Sequence, residues 1–217
     1  MRRALSLVAM MAVSLLLASG VALAVTKIGT DGPDTLRGTN GADTLIGKGG
    51  NDDLFGQRGR DQLLGGEGRD ALLGGNELGT LGGDKNMVGG PGNDFVRGGK
   101  GSDNAVGGEG NDFLIEGNLR EFSKDTLSGG SGNDVIDVFH KPAAVQDVVT
   151  CGSGFDRVIS DRADLVAPDC EKVVVVHGSL EDSFRQAERW FASLPQSQRE
   201  FFFDTLFDEQ LAPFPGE

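Results

Sequence analysis

The sequence lacks the motifs that most often mark a hydrolase. It has only two histidines, His140 and His177, and no H-E-x-x-H motif, which excludes the zinc proteases that hold their metal with that helix. It has no G-x-S-x-G motif either, which excludes the serine turn of lipases and esterases. We therefore predict no catalytic residues in this chain.

Basic residues are also scarce. Lys and Arg together number 20 against 33 Asp and Glu, which gives a formal net charge of −13. Proteins that bind nucleic acids need basic patches to neutralise the phosphates. The charge balance therefore argues against nucleic acid as a partner.

A hydrophobic run long enough to span a membrane is missing as well. The apolar stretch Ala4–Leu17 is shorter than the roughly 20 residues that a spanning helix needs. It follows Arg2 and Arg3 and precedes a small-residue site ending at Ala24, which is typical of a secretory signal peptide. We predict that residues 1–24 are a signal peptide, that the protein is secreted and extracellular, and that it has no membrane contact after cleavage. Loss of both arginines takes the charge from −13 to −15.

Cysteine is limited to Cys151 and Cys170. A lone pair in a secreted protein favours a disulfide, and two free thiols are the alternative. The separation of 19 residues is one more than twice the nine-residue repeat described next, so a one-residue bulge would place the pair on neighbouring coils. Such a bond is expected to stabilise the fold by about 3 kcal/mol.

Glycine, in contrast, is abundant, with 35 of 217 residues, and most of it lies in a nine-residue repeat. The pattern is G-G-x-G-x-D-x-U-x, where U is a large apolar residue. A disordered acidic linker would have no reason to keep an aspartate and an aliphatic residue in phase, so the pattern indicates a folded repeat. The copies begin at Gly29, Gly38, Gly47, Gly56, Gly65, Gly89, Gly98, Gly107 and Gly129.

The positions of the repeat have separate physical roles. Glycines at positions 1, 2 and 4 permit a sharp turn, and the apolar residue at position 8 points inward from a short strand. The aspartate at position 6 supplies carboxylate oxygens, which together with turn carbonyls are the ligands that calcium prefers. The predicted inward residues are Leu36, Leu45, Leu54, Leu63, Leu72, Val96, Ala105, Leu114 and Ile136. The predicted metal ligands, for several Ca²⁺ ions and no other cofactor, are Asp34, Asp43, Asp52, Asp61, Asp70, Asp94, Asp103, Asp112 and Asp134.

Two repeats should make one coil, so that residues 18 apart stack at about 4.8 Å. The aspartates would then form two ladders, one beginning at Asp34 and the other at Asp43. Like charges at that spacing repel by on the order of 1 kcal/mol even in water. We therefore expect a poor fold without calcium, and expect the binding energy of the ions to appear as folding energy.

The repeat breaks in two places. Residues 74–88 have Gly79 where the sixth-position aspartate is expected, and Asp84 falls out of phase. Residues 116–128 are longer than one unit and recover the phase only at Asp125. We expect weaker or missing ions in both segments, and a smaller effect of Asp84→Ala than of Asp61→Ala.

The nonapeptides resemble the RTX, or hemolysin-type calcium-binding, repeat family. The resemblance covers residues 29–137 firmly and residues 138–178 loosely. It implies an all-β fold, a right-handed parallel β-roll with calcium in the turns, and it assigns the ligand role to the sixth-position aspartates. Members of the family often leave the cell by means of an uncleaved C-terminal signal, whereas this chain has an N-terminal signal peptide and no pore-forming domain. A toxin role is therefore not expected.

The remainder of the chain differs from the repeats. Residues 138–178 keep the Asp-x-U core at Asp147 and Asp164, which predicts degenerate closing coils and a disulfide cap. Residues 179–217 nearly lack glycine, and apolar residues such as Phe184 recur there at helical spacing, which predicts a short α-helical tail. The tail either packs on itself or on the end of the roll, or it offers a surface for a protein partner or for self-association.

These features together predict a secreted, non-enzymatic calcium-binding β-roll protein with a structural role or a role in surface or matrix interactions. The alternative is a secreted hydrolase, or an accessory subunit of one, whose active site follows none of the motifs searched for.

Overall fold

A computed structural model of the chain describes residues 23–76, 83–84, 86–117, 123–139 and 145–176. Every regular element in these ranges is a β-strand. No helix in the described part of the chain is long and apolar enough to cross a membrane. The predicted signal peptide, apart from Leu23 and Ala24, and the predicted helical tail at 179–217 lie outside the described residues.

The strands form two parallel sheets of eight strands each, and the chain alternates between them. The odd sheet contains, in spatial order, β1 (Thr26–Ile28), β3 (Thr44–Gly49), β5 (Gln62–Glu67), β7 (Asn86–Pro91), β9 (Asn104–Glu109), β11 (Thr126–Ser131), β13 (Val148–Ser153) and β15 (Leu165–Val166). The even sheet contains β2 (Thr35–Arg37), β4 (Asp53–Gln57), β6 (Ala71–Asn76), β8 (Phe95–Lys100), β10 (Phe113–Ile115), β12 (Val135–Asp137), β14 (Arg157–Ser160) and β16 (Lys172–Val175). The chain thus winds as an all-β parallel solenoid of about 7 turns, which confirms the predicted class; its handedness stays a prediction.

The predicted register holds in the regular part of the solenoid. Leu45 lies opposite Leu63, and their preceding aspartates, Asp43 and Asp61, are 18 residues apart. The breaks in the repeat lengthen the coils without interrupting either sheet. The separation between aspartates grows to 24 residues from Asp70 to Asp94 and is 22 residues from Asp112 to Asp134. The additional residues fall between strands, so the sheets remain continuous across both breaks.

The core is a single file of side chains between the two sheets. Position 8 of each repeat points inward, as predicted, because neighbouring residues of a strand point to opposite faces. All of the predicted inward residues belong to one hydrophobic cluster, in which Leu36 at the end is only partly buried. Met87, Leu127, Val149 and Val158 extend the file through the two breaks and into the closing coils.

The two ends of this core are closed in different ways. At the start, Lys27 lies opposite Leu45 and so takes the inward place of an aliphatic residue. Its Nζ donates a hydrogen bond of 2.5 Å to the carbonyl oxygen of Arg37. At the other end, Cys151 and Cys170 form a disulfide with their Cα atoms 5.2 Å apart, which confirms the predicted pairing.

The coil that carries the disulfide is shorter than the others, so the predicted one-residue bulge is wrong. Val149 lies opposite Val166, and Val158 lies opposite Val173, so both pairs are closer in sequence than the residues of a regular coil. The chain turns between the two strands, and the Cys170 N–H closes this turn on the Ala167 carbonyl at 3.3 Å. The turn, rather than a bulge, brings the second cysteine back to the first.

Candidate metal centre

The sixth-position aspartates stack into two ladders that run along the solenoid. The backbone N–H of Asp43 donates to Oδ1 of Asp61 at 2.7 Å, and the Asp61 N–H donates to Oδ1 of Asp84 at 2.8 Å. The first ladder precedes the even strands and contains Asp34, Asp52, Asp70, Asp94, Asp112, Asp134 and Asp156. The second ladder precedes the odd strands and contains Asp43, Asp61, Asp84, Asp103, Asp125, Asp147 and Asp164. One carboxylate oxygen of each residue after the first in a ladder is thereby used to fix the register of successive coils.

The other carboxylate oxygen is left for a different ligand. Within the described ranges, this atom is buried and accepts no hydrogen bond in Asp52, Asp61, Asp70, Asp84, Asp94, Asp112, Asp134 and Asp156. A buried acceptor without a partner costs about 1–3 kcal/mol, and a charged one costs more. The same unsatisfied carboxylate oxygen recurs in coil after coil, which indicates that these oxygens face either a proton or a cation.

The glycine at position 1 shapes the space beside this oxygen. At Gly65, a Cβ atom would overlap Oδ2 of Asp70 and would lie 2.7 Å from the carbonyl oxygen of Gly89, one coil further on. At Gly107, a Cβ atom would overlap Oδ2 of Asp112 in the same way. Carboxylate and carbonyl oxygens therefore line one narrow strip from which side chains are excluded. This donor set fits calcium, which binds several carboxylate and backbone oxygens in flexible geometry.

Burial makes these carboxyl groups hard to ionise when no cation is present. Loss of solvation raises the pKa of Asp61 to about 7 and that of Asp112 to about 8, against an ordinary value of 3.8. The neighbouring carboxylates in the same ladder raise both pKa values further, while hydrogen bonds from the backbone oppose the shift. At the exposed end, hydrogen bonds from Thr30 hold the pKa of Asp34 below its ordinary value.

The structure places all nine predicted ligand residues in the two ladders. Asp34, Asp52, Asp70, Asp94, Asp112 and Asp134 belong to the first ladder, and Asp43, Asp61 and Asp103 belong to the second. Their role as calcium ligands stays a prediction, because the geometry gives their position and not the ion.

The prediction that Asp84 falls out of phase with the repeat is wrong. It is buried, it accepts the Asp61 N–H, and its own N–H donates to Oδ1 of Asp103 at 2.7 Å. Asp84 therefore occupies the ladder position that sequence counting assigned to Gly79. Strict counting by nine failed because the coil is lengthened ahead of Asp84. The usable signal was the aspartate shortly before the apolar strand residues Met87 and Val88.

The ladders also continue past the last regular repeat. Asp125, Asp147 and Asp164 take ladder positions although few of the motif's glycines precede them. Asp156 also takes one and follows Gly152 and Gly154, and its N–H donates to Oε2 of Glu171 at 2.7 Å. The Asp-x-U core was the signal that could have identified all four aspartates as site residues, and at Asp156 two of the motif's glycines accompany it. Nothing in the repeat pattern pointed to Glu171.

One repeat has a glutamate at position 1 in place of glycine. The carboxylate of Glu116 lies with those of Asp125 and Asp147, and the ligand oxygens of these three buried residues are all within 4.8 Å of one another. Such a group can hold a metal ion. The second break in the repeat therefore brings more carboxylate oxygens together rather than fewer.

An all-β parallel solenoid with ladders of buried carboxylates in its turns defines a calcium-binding type of repeat protein. The family described as the RTX calcium-binding nonapeptide repeat matches the chain in four copies, at residues 28–63, 46–77, 78–114 and 123–138. The matched residues carry this repeat, and Ca²⁺ is the ion that such repeats bind. No significant match to a curated protein or to a solved structure was found.

Proposed function

We propose that this protein is a secreted β-solenoid that calcium folds and holds rigid, and that its role is structural, or in surface or matrix interactions, rather than enzymatic. The observation that carries the proposal is the row of buried aspartate oxygens that accept no hydrogen bond from the part of the chain that the structure describes, repeated from coil to coil. A row of this kind is unfavourable in a metal-free protein and favourable once cations lie between the coils.

Three groups of residues make separate contributions to folding. The Oδ1 atoms align successive coils through the backbone, the position-1 glycines keep side chains out of the strip, and the aliphatic file fills the core. Bound calcium supplies the positive charge that lets neighbouring carboxylates of one ladder remain ionised. The core alone is one side chain wide, so its burial is a limited source of stability for so many ordered glycines.

A non-enzymatic role is supported by the character of the family, whose repeats are generally structural and not catalytic. Secretion is supported by the predicted signal peptide and by the disulfide, because disulfides persist mainly in oxidising compartments. Mass spectrometry of unreduced protein collected after export tests both points. A chain that begins at Val25 and lacks alkylatable thiols is expected, whereas an intact N-terminus or two free thiols would contradict secretion by this route.

Calcium-driven folding is tested by far-UV circular dichroism in chelator and during calcium titration. We expect a largely unfolded chain in chelator and a cooperative gain of β-structure, with affinities on the order of 10⁻⁴ to 10⁻³ M as in extracellular calcium modules. Magnesium is the matched control, because it demands a smaller and stricter octahedral site and should not replace calcium at equal concentration. Identical spectra with and without calcium would contradict the proposal that calcium folds the chain.

A further inference from the structure

The outward faces of the two sheets differ in burial. In the odd sheet, the position-7 residues from Thr44 to Thr126 are polar, and Asn86 and Asn104 among them hydrogen-bond to each other through their side chains at 2.9 Å. The closing coils carry Val148 and Leu165 at this position, and every position-7 residue of the odd sheet is at least partly exposed. In the even sheet, the same position carries Phe95, Phe113 and Val135, which are only 2%, 4% and 3% exposed. The even sheet therefore has buried apolar side chains on the face that points away from the core.

These outward side chains form continuous clusters across the even sheet. One contains Phe95, Phe113, Val135, Ile159 and Val176, and another contains Phe55, Ala71 and Leu73. The rings of Phe95 and Phe113 are stacked with their centroids 5.7 Å apart, so neighbours cover the flanks of each ring. The outer edges still point away from the sheet, and burying them requires a further layer. The regular elements of the described residues are all strands of the two sheets and supply no such layer.

We propose that residues 179–217 dock on the outer face of the even sheet and form this layer. The path of the chain supports the assignment. The last strand, β16, is an edge strand of the even sheet, and Val176, which follows it and ends the described residues, already belongs to the cluster of Phe95 and Phe113. The chain therefore leaves the described part of the structure at the margin of the buried face.

The length and composition of the segment fit the face. Six strand spacings separate β16 from β4, which is about 29 Å at roughly 4.8 Å per strand. A helix of about 15 residues covers roughly 22 Å, and the 39 residues of the predicted helical tail are enough for two such helices, which would span the face. The segment also supplies apolar stripes, with Phe184, Phe191 and Leu194 at helical spacing on one of them.

Charge is complementary as well. The outward positions of the even sheet carry four basic residues and two acidic ones, namely Arg37, Arg97, Arg157, Lys172, Asp53 and Asp137. The Arg37 guanidinium lies 4.1 Å from the centre of the Phe55 ring. Residues 179–217 contain more Asp and Glu than Arg and have no Lys. An acidic amphipathic segment would therefore meet an apolar face on which basic residues outnumber acidic ones.

Trp190 allows a direct test, because it is the only tryptophan in the chain and lies within the segment. Acrylamide quenching of its fluorescence is measured in full-length protein with excess calcium, for Phe113→Ser and for the matched control Asn104→Ser, which changes the same repeat position on the odd sheet. We expect low quenching in the unsubstituted protein and in the control, and a severalfold increase in Phe113→Ser. Circular dichroism confirms that all three proteins remain folded.

Three outcomes would overturn the proposal. Equal quenching in Phe113→Ser and in the control would mean that other residues cover the face. Strong quenching already in the unsubstituted protein would mean that the segment is not docked. Quenching that increases when the unsubstituted protein is diluted would assign the layer to a second copy of the chain. None of these readings depends on calcium being the folding ion, because a folded protein is the only requirement.

Discussion

The first coil and the middle coils of the solenoid carry the same motif, yet their carboxylates have opposite properties. Asp34 in the first coil is partly exposed, and the N–H and hydroxyl groups of Thr30 donate to its Oδ2 at 2.5 and 2.9 Å. Asp112 in the middle is buried, and its Oδ2 accepts no hydrogen bond within the described residues. The pKa of Asp34 is lowered, whereas that of Asp112 is raised to about 8.

The difference shows that the aspartates require a cation because other coils stack on both sides of them, and not because of the nonapeptide sequence alone. A coil covered on both sides removes water from its aspartates, while an end coil leaves water and local donors in reach. The folding of the middle coils should therefore depend most strongly on calcium, whereas the end coils should depend more on water and on local hydrogen-bond donors. The following predictions test this contrast, from the largest expected effect to the smallest.

The largest effect is expected from pH in the absence of calcium. The folded-state pKa values of Asp61 and Asp94 are about 7 and that of Asp112 is about 8, all above the ordinary value of 3.8. Groups with raised pKa values favour folding when protonated, so their contribution is complete below pH 3.8 and is lost as pH rises through about 7 to 8. Protein in chelator should therefore gain β-structure as the pH is lowered from about 8 to about 5.

Calcium-loaded protein provides the control for this experiment, because protons and calcium compete for the same oxygens. Its calcium midpoint should increase, not decrease, over the same fall in pH. Far-UV circular dichroism measures both series. If the metal-free chain gained no structure on acidification, buried carboxylates would not be the reason for its instability.

The next effect concerns single ladder positions. Asp61→Ala and Asp84→Ala should raise the calcium midpoint by similar amounts, on the order of tenfold, or about 1.4 kcal/mol. The reason is that both residues are buried in the same ladder, where the backbone N–H of Asp61 donates a hydrogen bond to Oδ1 of Asp84. Asp34→Ala should have a smaller effect, because its oxygens are partly solvated. A calcium titration of the three variants decides this, and a much milder effect of Asp84→Ala would show that a ladder position alone does not decide how much a residue contributes to calcium binding.

Much of the strand register and of the aspartate ladders could be predicted from the sequence, because the repeat fixes the positions of both the turn and the inward residue. The pairing of Leu45 with Leu63 and the ladder position of Asp61 follow directly from a period of nine. Counting failed where coils differ in length, as at Asp84, because a solenoid fixes the register of its strands and leaves the connecting length free. The period of the repeat also does not predict which outer face of the solenoid is covered, so the burial of Phe95 and Phe113 could be seen only in the structure.

A third effect should be confined to the closing coil. Replacing Cys151 and Cys170 with serine should destabilise that coil by about 3 kcal/mol while leaving the middle coils folded, since each coil of a solenoid contacts mainly its neighbours. The disulfide holds Asp169 where its carboxylate accepts the Gly152 N–H at 3.0 Å. Hydrogen exchange in calcium should show faster exchange in β13 to β16 only. Uniformly faster exchange along the chain would show that the closing coil nucleates the whole fold.

The smallest effect should come from the backbone of an early coil. Gln57 has a φ of 79° at repeat position 2, where Gly66 and Gly75 have φ values of 116° and 131°. A side chain in this left-handed region costs about 1–2 kcal/mol, so Gln57→Gly should stabilise the calcium-loaded protein by up to about 1 kcal/mol. Gln62→Gly is the matched control, because Gln62 lies in extended strand β5 and glycine there should destabilise by about 0.5–1 kcal/mol. Thermal unfolding in calcium measures both variants, and a loss of stability in each would show that the turn does not strain Gln57.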